Sequence, residues 1–267
     1  MLGAIIGDIV GSPYELDENV IKTTDFPLFK DASVFTDDTV MTLAVAEGMM
    51  NGYNNPKKTI FEIINSMQKW GLKYPNAGYG SSFINWLYSK NPKPYNSYGN
   101  GAAMRVSSVA WLYDTLEEIE KYAELSAIVS HNHAEGIKGA KAVASAIFLA
   151  RQGRRKNEIK NYITLNYGYK FNKTCDEIRP FYCRTETCQE TVPQAVTAFL
   201  DGNSFEEVIR LAVSLGGDSD TLAAIAGSIA EAYYGIPNNI KKQSYEKLDD
   251  NINKLLERFY SFIQNKK

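Results

Sequence analysis

The chain has 267 residues, 44% hydrophobic and 22% charged, with a formal net charge of −2. A chain of that composition can bury a core without disulfides or a structural metal. Its 29 Lys and Arg against 31 Asp and Glu leave no basic excess for a nucleic-acid backbone, and no apolar run approaches the roughly 20 residues of a membrane span. Cys175, Cys183 and Cys188 are odd in number and irregular in spacing, which reads as reduced thiols in a cytoplasmic protein.

In chain order, MLGAIIGDIVGSPYE opens apolar, but it has no basic leader and Asp8 interrupts it, so it is not read as a signal peptide. Its glycines permit tight helix packing or close approach of a ligand. Asp8 is expected to cap or hydrogen-bond the local backbone. Glu15, after a proline turn, is either a solvated loop acid or a carboxylate offered to a metal centre. From Asp37 the sequence DDTVMTLAVAEGMMNG predicts a helix ended by Gly52. Further helices are predicted over Ile60–Leu72, Glu135–Gln152, Glu190–Leu200, Phe205–Leu215, Thr221–Tyr234 and Ser244–Phe262. Tyr162–Phe171, with β-favouring Tyr162, Thr164, Tyr167 and Tyr169, is the one stretch that reads as a strand. Lys73–Ser82 and Asn91–Ala103 read as long loops, which in a compact domain are often functional. The pattern is all-α, a single helical domain.

Two segments concentrate acids directly before helices: Phe35-Thr36-Asp37-Asp38-Thr39 and Gly216-Gly217-Asp218-Ser219-Asp220-Thr221. Either alone is an ordinary N-cap. Both hold more carboxylates than a cap needs, and adjacent ionised carboxylates repel unless a hard divalent cation such as Mg²⁺ neutralises them. Tyr98-Gly99-Asn100-Gly101-Ala102-Ala103-Met104-Arg105 is a small-residue loop of the kind that binds anions through backbone N–H groups, without the lysine of a Walker A loop. Ser130-His131-Asn132-His133 holds both histidines. No third nitrogen or sulfur ligand stands nearby for zinc, so one histidine is read as a hydrogen bonder to substrate.

The ordered set GAIIGDIVGSPYE, FTDDTVMTLAVAEG, GNGAAMRVSSVA, SHNHAEGIKGAKAVA and GGDSDTLAAIAGSIAEAYYG resembles the ADP-ribosylglycohydrolase family from Gly3 to Pro237. The resemblance implies an all-α domain over residues 1–267 with a binuclear metal cleft holding two Mg²⁺, or Mn²⁺. It assigns Thr36, Asp37 and Asp38 to one metal motif and Asp218, Asp220 and Thr221 to the other. Glu15 would contact metal or gate the cleft, and Asn100, Gly101, Ala102, Met104 and His131 would bind ADP-ribose. The implied reaction is hydrolysis of the C1″ glycosidic bond between ADP-ribose and a protein side chain. Asp37, Asp38 or Glu15 would orient water or move a proton, and Asp218 and Asp220 would mainly hold metal. The alternatives are a non-catalytic ADP-ribose reader and a hydrolase of a free ADP-ribosylated or acylated small molecule. The loops Asn76–Ser82 and Asn91–Tyr98, with Tyr79, Trp86 and Tyr95, are expected either to shape the choice of linkage or simply to pack.

Overall fold

The computed structural model describes residues 1–266 and is helical nearly throughout. In chain order the helices are α1 (Leu2–Gly11), α2 (Asp37–Asn51), α3 (Pro56–Lys73), α4 (Ser81–Leu87), α5 (Gly101–Met104), α6 (Val109–Leu112), α7 (Leu116–Ile128), α8 (Ala134–Arg151), α9 (Lys156–Tyr167), α10 (Cys175–Ile178), α11 (Cys188–Asp201), α12 (Phe205–Ser214), α13 (Ser219–Tyr234), α14 (Asn238–Tyr245) and α15 (Asp250–Lys266). The all-α expectation holds. Among the described residues the only β-type pairing is an isolated bridge, Gly99 to Thr187.

α13 is the central helix, packed against α1, α12, α11 and α8. Its residues from Ser219 to Ala230 are all buried, which an amphipathic surface helix would not show. α1 lies against it at very close range because Gly3, Gly7 and Gly11 fall on one helical face, four residues apart. A Cβ on Gly7 would stand 2.0 Å from the Ala223 carbonyl oxygen, and one on Gly11 would stand 2.5 Å from the Asp220 Cα. This approach carries Asp8 of α1 and Asp220 of α13 to one end of the pair. Gly7→Ala is therefore expected to destabilise the fold by about 3 kcal/mol, the upper range for overpacking, because the clash is with backbone. Thermal unfolding should show Tm lowered by roughly 6–12 °C for a chain of this size. Gly80→Ala, where an added Cβ meets nothing within 4 Å, should leave Tm in place.

Two predicted elements are corrected. Tyr162–Phe171 is not a strand: its first six residues complete α9, which ends at Gly168 with φ +73°. The β-favouring side chains are overridden because Ile159, Ile163 and Tyr167 recur every four residues and are all buried. The Glu158 carboxylate also accepts from the Arg155 N–H at 2.9 Å and closes the first turn. Ser244–Phe262 is not one helix either. Asp249 accepts from the N–H groups of Asn251 and Ile252 at 2.8 and 3.0 Å, starting α15 afresh after α14 has ended.

Candidate active site

The turn into α2 is organised by a carboxylate from another helix. Asp8, fully buried, accepts from the Thr36 N–H at 2.9 Å, the Thr36 hydroxyl at 2.7 Å, the Thr39 N–H at 3.0 Å and the Thr39 hydroxyl. It satisfies donors that the first turn of a helix leaves open. Asp8 thus hydrogen-bonds backbone, as the sequence reading expects, but backbone 28 and 31 residues away rather than its own. Thr36 is the N-cap, its hydroxyl oxygen accepting from the Asp38 N–H at 3.3 Å. With the helix end satisfied by Asp8 and Thr36, the Asp37 and Asp38 carboxylates remain available to the cleft.

The second acidic turn begins at Gly216 and Gly217, with φ of +74° and +77°, left-handed conformations that glycine adopts without strain. Asp218 accepts from the Asn100 amide, which also reaches the Thr191 hydroxyl at 3.1 Å. The two acidic motifs touch: the Thr221 hydroxyl donates to Asp38 Oδ2 at 3.1 Å, across 183 residues of sequence. Asp220 Oδ2 lies 3.5 Å from the Thr36 hydroxyl. Carboxylate oxygens of Glu15, Asp218 and Asp220 come within 4.8 Å of one another and form a cluster that could hold a metal ion.

The electrostatics point the same way. Burial, and then the nearby charges of Asp8 and Asp218, push the Asp37 carboxyl well above its ordinary value. Burial and then Asp8, Asp37 and Asp218 do so for Asp38. Burial and then Asp218, Asp38 and Glu15 do so for Asp220. Asp218 is pushed up to about 6, mainly by burial, against the lowering effect of the Asn100 hydrogen bond. Asp38 Oδ1 is buried and has no hydrogen-bond partner. A divalent cation with oxygen ligands would both relieve the repulsion and supply the missing partner, so this donor set fits Mg²⁺ or Mn²⁺.

The cluster opens on a cavity of about 590 Å³, within the range of small-molecule sites. Of the residues expected at the site, Glu15, Asp37, Asp38, Asn100, Gly101, Met104, His131, Asp218, Asp220 and Thr221 line it. Thr36 does not line the cavity, but its hydroxyl, donating to Asp8 at 2.7 Å, lies 3.5 Å from the Asp220 carboxylate at the edge of the acidic cluster. Ala102 is fully buried and does not line the cavity, so its side chain belongs to the core. Of Tyr79, Trp86 and Tyr95, only Tyr95 lines the cavity, together with Tyr98 of the same loop. Trp86 is a packing residue whose indole N–H donates to the Val129 carbonyl at 2.9 Å, and Tyr79 is buried beside Phe83. The histidines are divided in role, since His133 caps α8 by accepting the Glu135 N–H at 3.1 Å, whereas His131 faces the cavity.

Two arginines at the site were given no role by the sequence, although Arg105 ends the small-residue loop and lies within the motif GNGAAMRVSSVA. Arg184, in the irregular segment before α11, pairs with Glu15 at 2.8 Å and with Glu186 at 3.2 Å at the cavity edge. Arg105 lines the cavity yet is 1% exposed. Nothing in the residues flanking Arg184 distinguishes it from a surface cation, whereas Arg105 stands between the apolar Ala102-Ala103-Met104 and Val106.

The arrangement of helices is that of the ADP-ribosylglycohydrolase fold. A solved chain described as an "ADP-ribosylglycohydrolase-related protein complex" matches with a TM-score of 0.71, covering 98% of this chain and 95% of that one, at 23% identity. The ADP-ribosylglycohydrolase family profile matches residues 1–267, and the chain belongs to that family, which marks it as a hydrolase that removes ADP-ribose. Similar relatives are ADP-ribosylhydrolase ARH3 of Homo sapiens, 27% identical over 93% of this chain and 89% of its own length, and the Bos taurus protein of the same name with the same identity and coverage. ADP-ribosylarginine hydrolase Tri1 of Pseudomonas putida is 26% identical over 88% of this chain and 70% of its own length.

Proposed function

We propose that the protein is a Mg²⁺-dependent hydrolase, binuclear and able to take Mn²⁺, that frees ADP-ribose from modified protein side chains by cleaving the C1″ glycosidic bond. The observation that carries this reading is the meeting of the two acidic motifs through the Thr221–Asp38 hydrogen bond at 3.1 Å, on the wall of a cavity of small-molecule size.

Thr36, Asp37 and Asp38 with Asp218, Asp220 and Thr221 would hold the ions. Bound there, such ions supply Lewis acidity and lower the pKa of water at neutral pH. The chain's own residues do the rest. Asp218 is held by Asn100, which couples the metal motif to the ligand loop. Asn100, Gly101 and Met104 with His131 bind the ADP-ribose, and Ala102 keeps that loop packed on the core. One of Asp37, Asp38 and Glu15 orients the attacking water and takes its proton as the oxocarbenium-like transition state forms. The three free thiols, two of them buried, suit a reducing compartment, and a cytoplasmic location is part of the proposal. Among the described residues no helix is long and apolar enough to cross a membrane.

The test is a panel of peptides carrying ADP-ribose on arginine, serine or threonine, incubated with the protein in Mg²⁺ or in chelator. Release of ADP-ribose from at least one linkage, lost on chelation, is expected. Tight ADP-ribose binding with no release from any linkage would make the protein a reader instead.

A further inference from the structure

Arg105 is a cation in the core whose hydrogen bonds go to neutral oxygens. Its Nη2 donates to the Ser126 carbonyl at 3.2 Å and to the Ser130 hydroxyl at 2.8 Å. Burying a charge without an ionic partner is expensive, so the position invites a reason beyond packing. The Ser130 hydroxyl provides one, because it also lies 2.8 Å from Nδ1 of His131.

Arginine only donates, so the Ser130 oxygen accepts from it. The serine has one proton of its own to place. Directed at His131 Nδ1, that proton leaves no buried hydroxyl donor unpaired. Directed elsewhere, with Nδ1–H donating to the oxygen instead, it would be left without an acceptor. The first arrangement puts the imidazole proton on Nε2. That nitrogen faces the glycine turn of the cavity: a Cβ on Gly101 would lie 3.0 Å from it, and one on Gly99 would lie 3.5 Å away. The Tyr95 ring stands 5.7 Å from the imidazole, tilted to it.

We propose that Arg105, acting through Ser130, is a positioning residue that fixes His131 as the Nε2–H tautomer, so that the ring offers one uncharged, fixed donor to an oxygen of ADP-ribose. The ligand named here rests on the function proposed above, whereas the tautomer rests on the hydrogen bonds alone. Burial, and then the Arg105 charge, hold the imidazole well below its ordinary range, and Arg105 itself, lowered by burial to about 10, remains charged at neutral pH. Tyr95, whose phenol is raised by burial, and Cys188, whose thiol burial pushes up to about 12, bring no competing charge near neutrality. An uncharged donor has a consequence for turnover. A charge-assisted bond, roughly twice as strong, would hold the released ADP-ribose as firmly as the substrate, and such uniform binding adds nothing to the chemical step.

The test is a long-range ¹H–¹⁵N spectrum of the full chain labelled at histidine, without ligand, with His133→Gln used to assign the two rings. The His131 ring is expected to show a pyrrole-type Nε2 and a pyridine-type Nδ1 from about pH 8 down to about 5.5, below the usual imidazole midpoint. Ser130→Ala should populate the second tautomer and raise the Kd for ADP-ribose about fivefold, the worth of one neutral hydrogen bond. Arg105→Lys should keep the ring neutral over the same range. Arg105→Gln should raise its midpoint by about one unit through loss of the charge. If Arg105→Gln does not fold, the wild-type, Arg105→Lys and Ser130→Ala spectra decide. An Nδ1–H ring in the wild type, a wild-type ring that takes its second proton between about pH 6 and 7, or a Ser130→Ala spectrum unchanged in tautomer overturns the proposal. Failure of ADP-ribose to bind the wild type would remove the proposed ligand while leaving the tautomer result standing.

Discussion

Asp220→Ala is expected to abolish metal-stimulated release of ADP-ribose. Asp220 is 3% exposed, stands within 4.8 Å of the Glu15 and Asp218 carboxylates, and adjoins Thr36, which caps the opposite motif. In the proposed function, its removal takes a ligand from the centre rather than a group that merely orients one. The loss should therefore exceed the roughly 10–100-fold typical of removing an outer partner. Asn100→Ala provides the comparison. Asn100 acts on Asp218 through its amide and also lines the ligand cavity, so its loss should raise KM for substrate, while kcat at saturating substrate should fall inside that roughly 10–100-fold range. Initial rates of ADP-ribose release at saturating Mg²⁺, with circular dichroism to verify folding, make the measurement. Full activity in Asp220→Ala would refute the assignment.

The same carboxylates should make the metal-free protein lose stability as pH rises. A carboxyl whose folded pKa is raised contributes stability that is complete below its unfolded value and lost as pH climbs through the folded one. Asp8 and Asp218 rise from 3.8 to about 6, and Asp37, Asp38 and Asp220 are raised well above 3.8. The window thus opens near pH 4 and extends through 6 and beyond. Glu47, Asp114 and Asp249 are shifted downward and act in the opposite sense only in more acidic solution. Comparing about pH 5.5 with about pH 8 in chelator leaves those three outside the window, whereas His131 and the Met1 amine, both held down by burial, gain stability as pH rises and work against the fall. Measured against Asp220→Asn, which retains both, the wild-type Tm should fall by at least about 5 °C. Mg²⁺ should abolish most of that fall by binding the ionised cluster in the folded state. Asp220→Asn should flatten the profile in chelator while remaining inactive. A wild-type profile in chelator that coincides with that of Asp220→Asn would mean the acids do not repel one another as described.

How much of this was legible beforehand depended on whether the signal was local. TDDT and GGDSDT stand out because each carries more acids than an N-cap uses, and the order of five motifs gave the family. Their meeting in space was not local. It depends on α1 lying close against α13 through Gly3, Gly7 and Gly11, and α1 is so apolar, with every one of its residues buried, that its sequence does not say which element it meets. Asp8 was readable as a group that bonds backbone, but its partners could be identified only once α1 and α2 were placed together. The break between α14 and α15 came from a single capping side chain, Asp249, inside an otherwise continuous amphipathic pattern. The roles of Arg105, although it sits in a quoted motif, and of Arg184 could not be read for a different reason. A lone arginine carries no pattern, and its meaning is set by what the fold places beside it: Ser130 and His131 in one case, Glu15 in the other.

In the proposed function the two acidic motifs grip cations in one place. Anomalous diffraction from crystals grown with Mn²⁺ tests it most directly. Strong peaks bounded by Asp37 and Asp38 on one side and Asp218 and Asp220 on the other are the result the account requires. Well-ordered crystals with no manganese there, from protein that still releases ADP-ribose in that buffer, would contradict it.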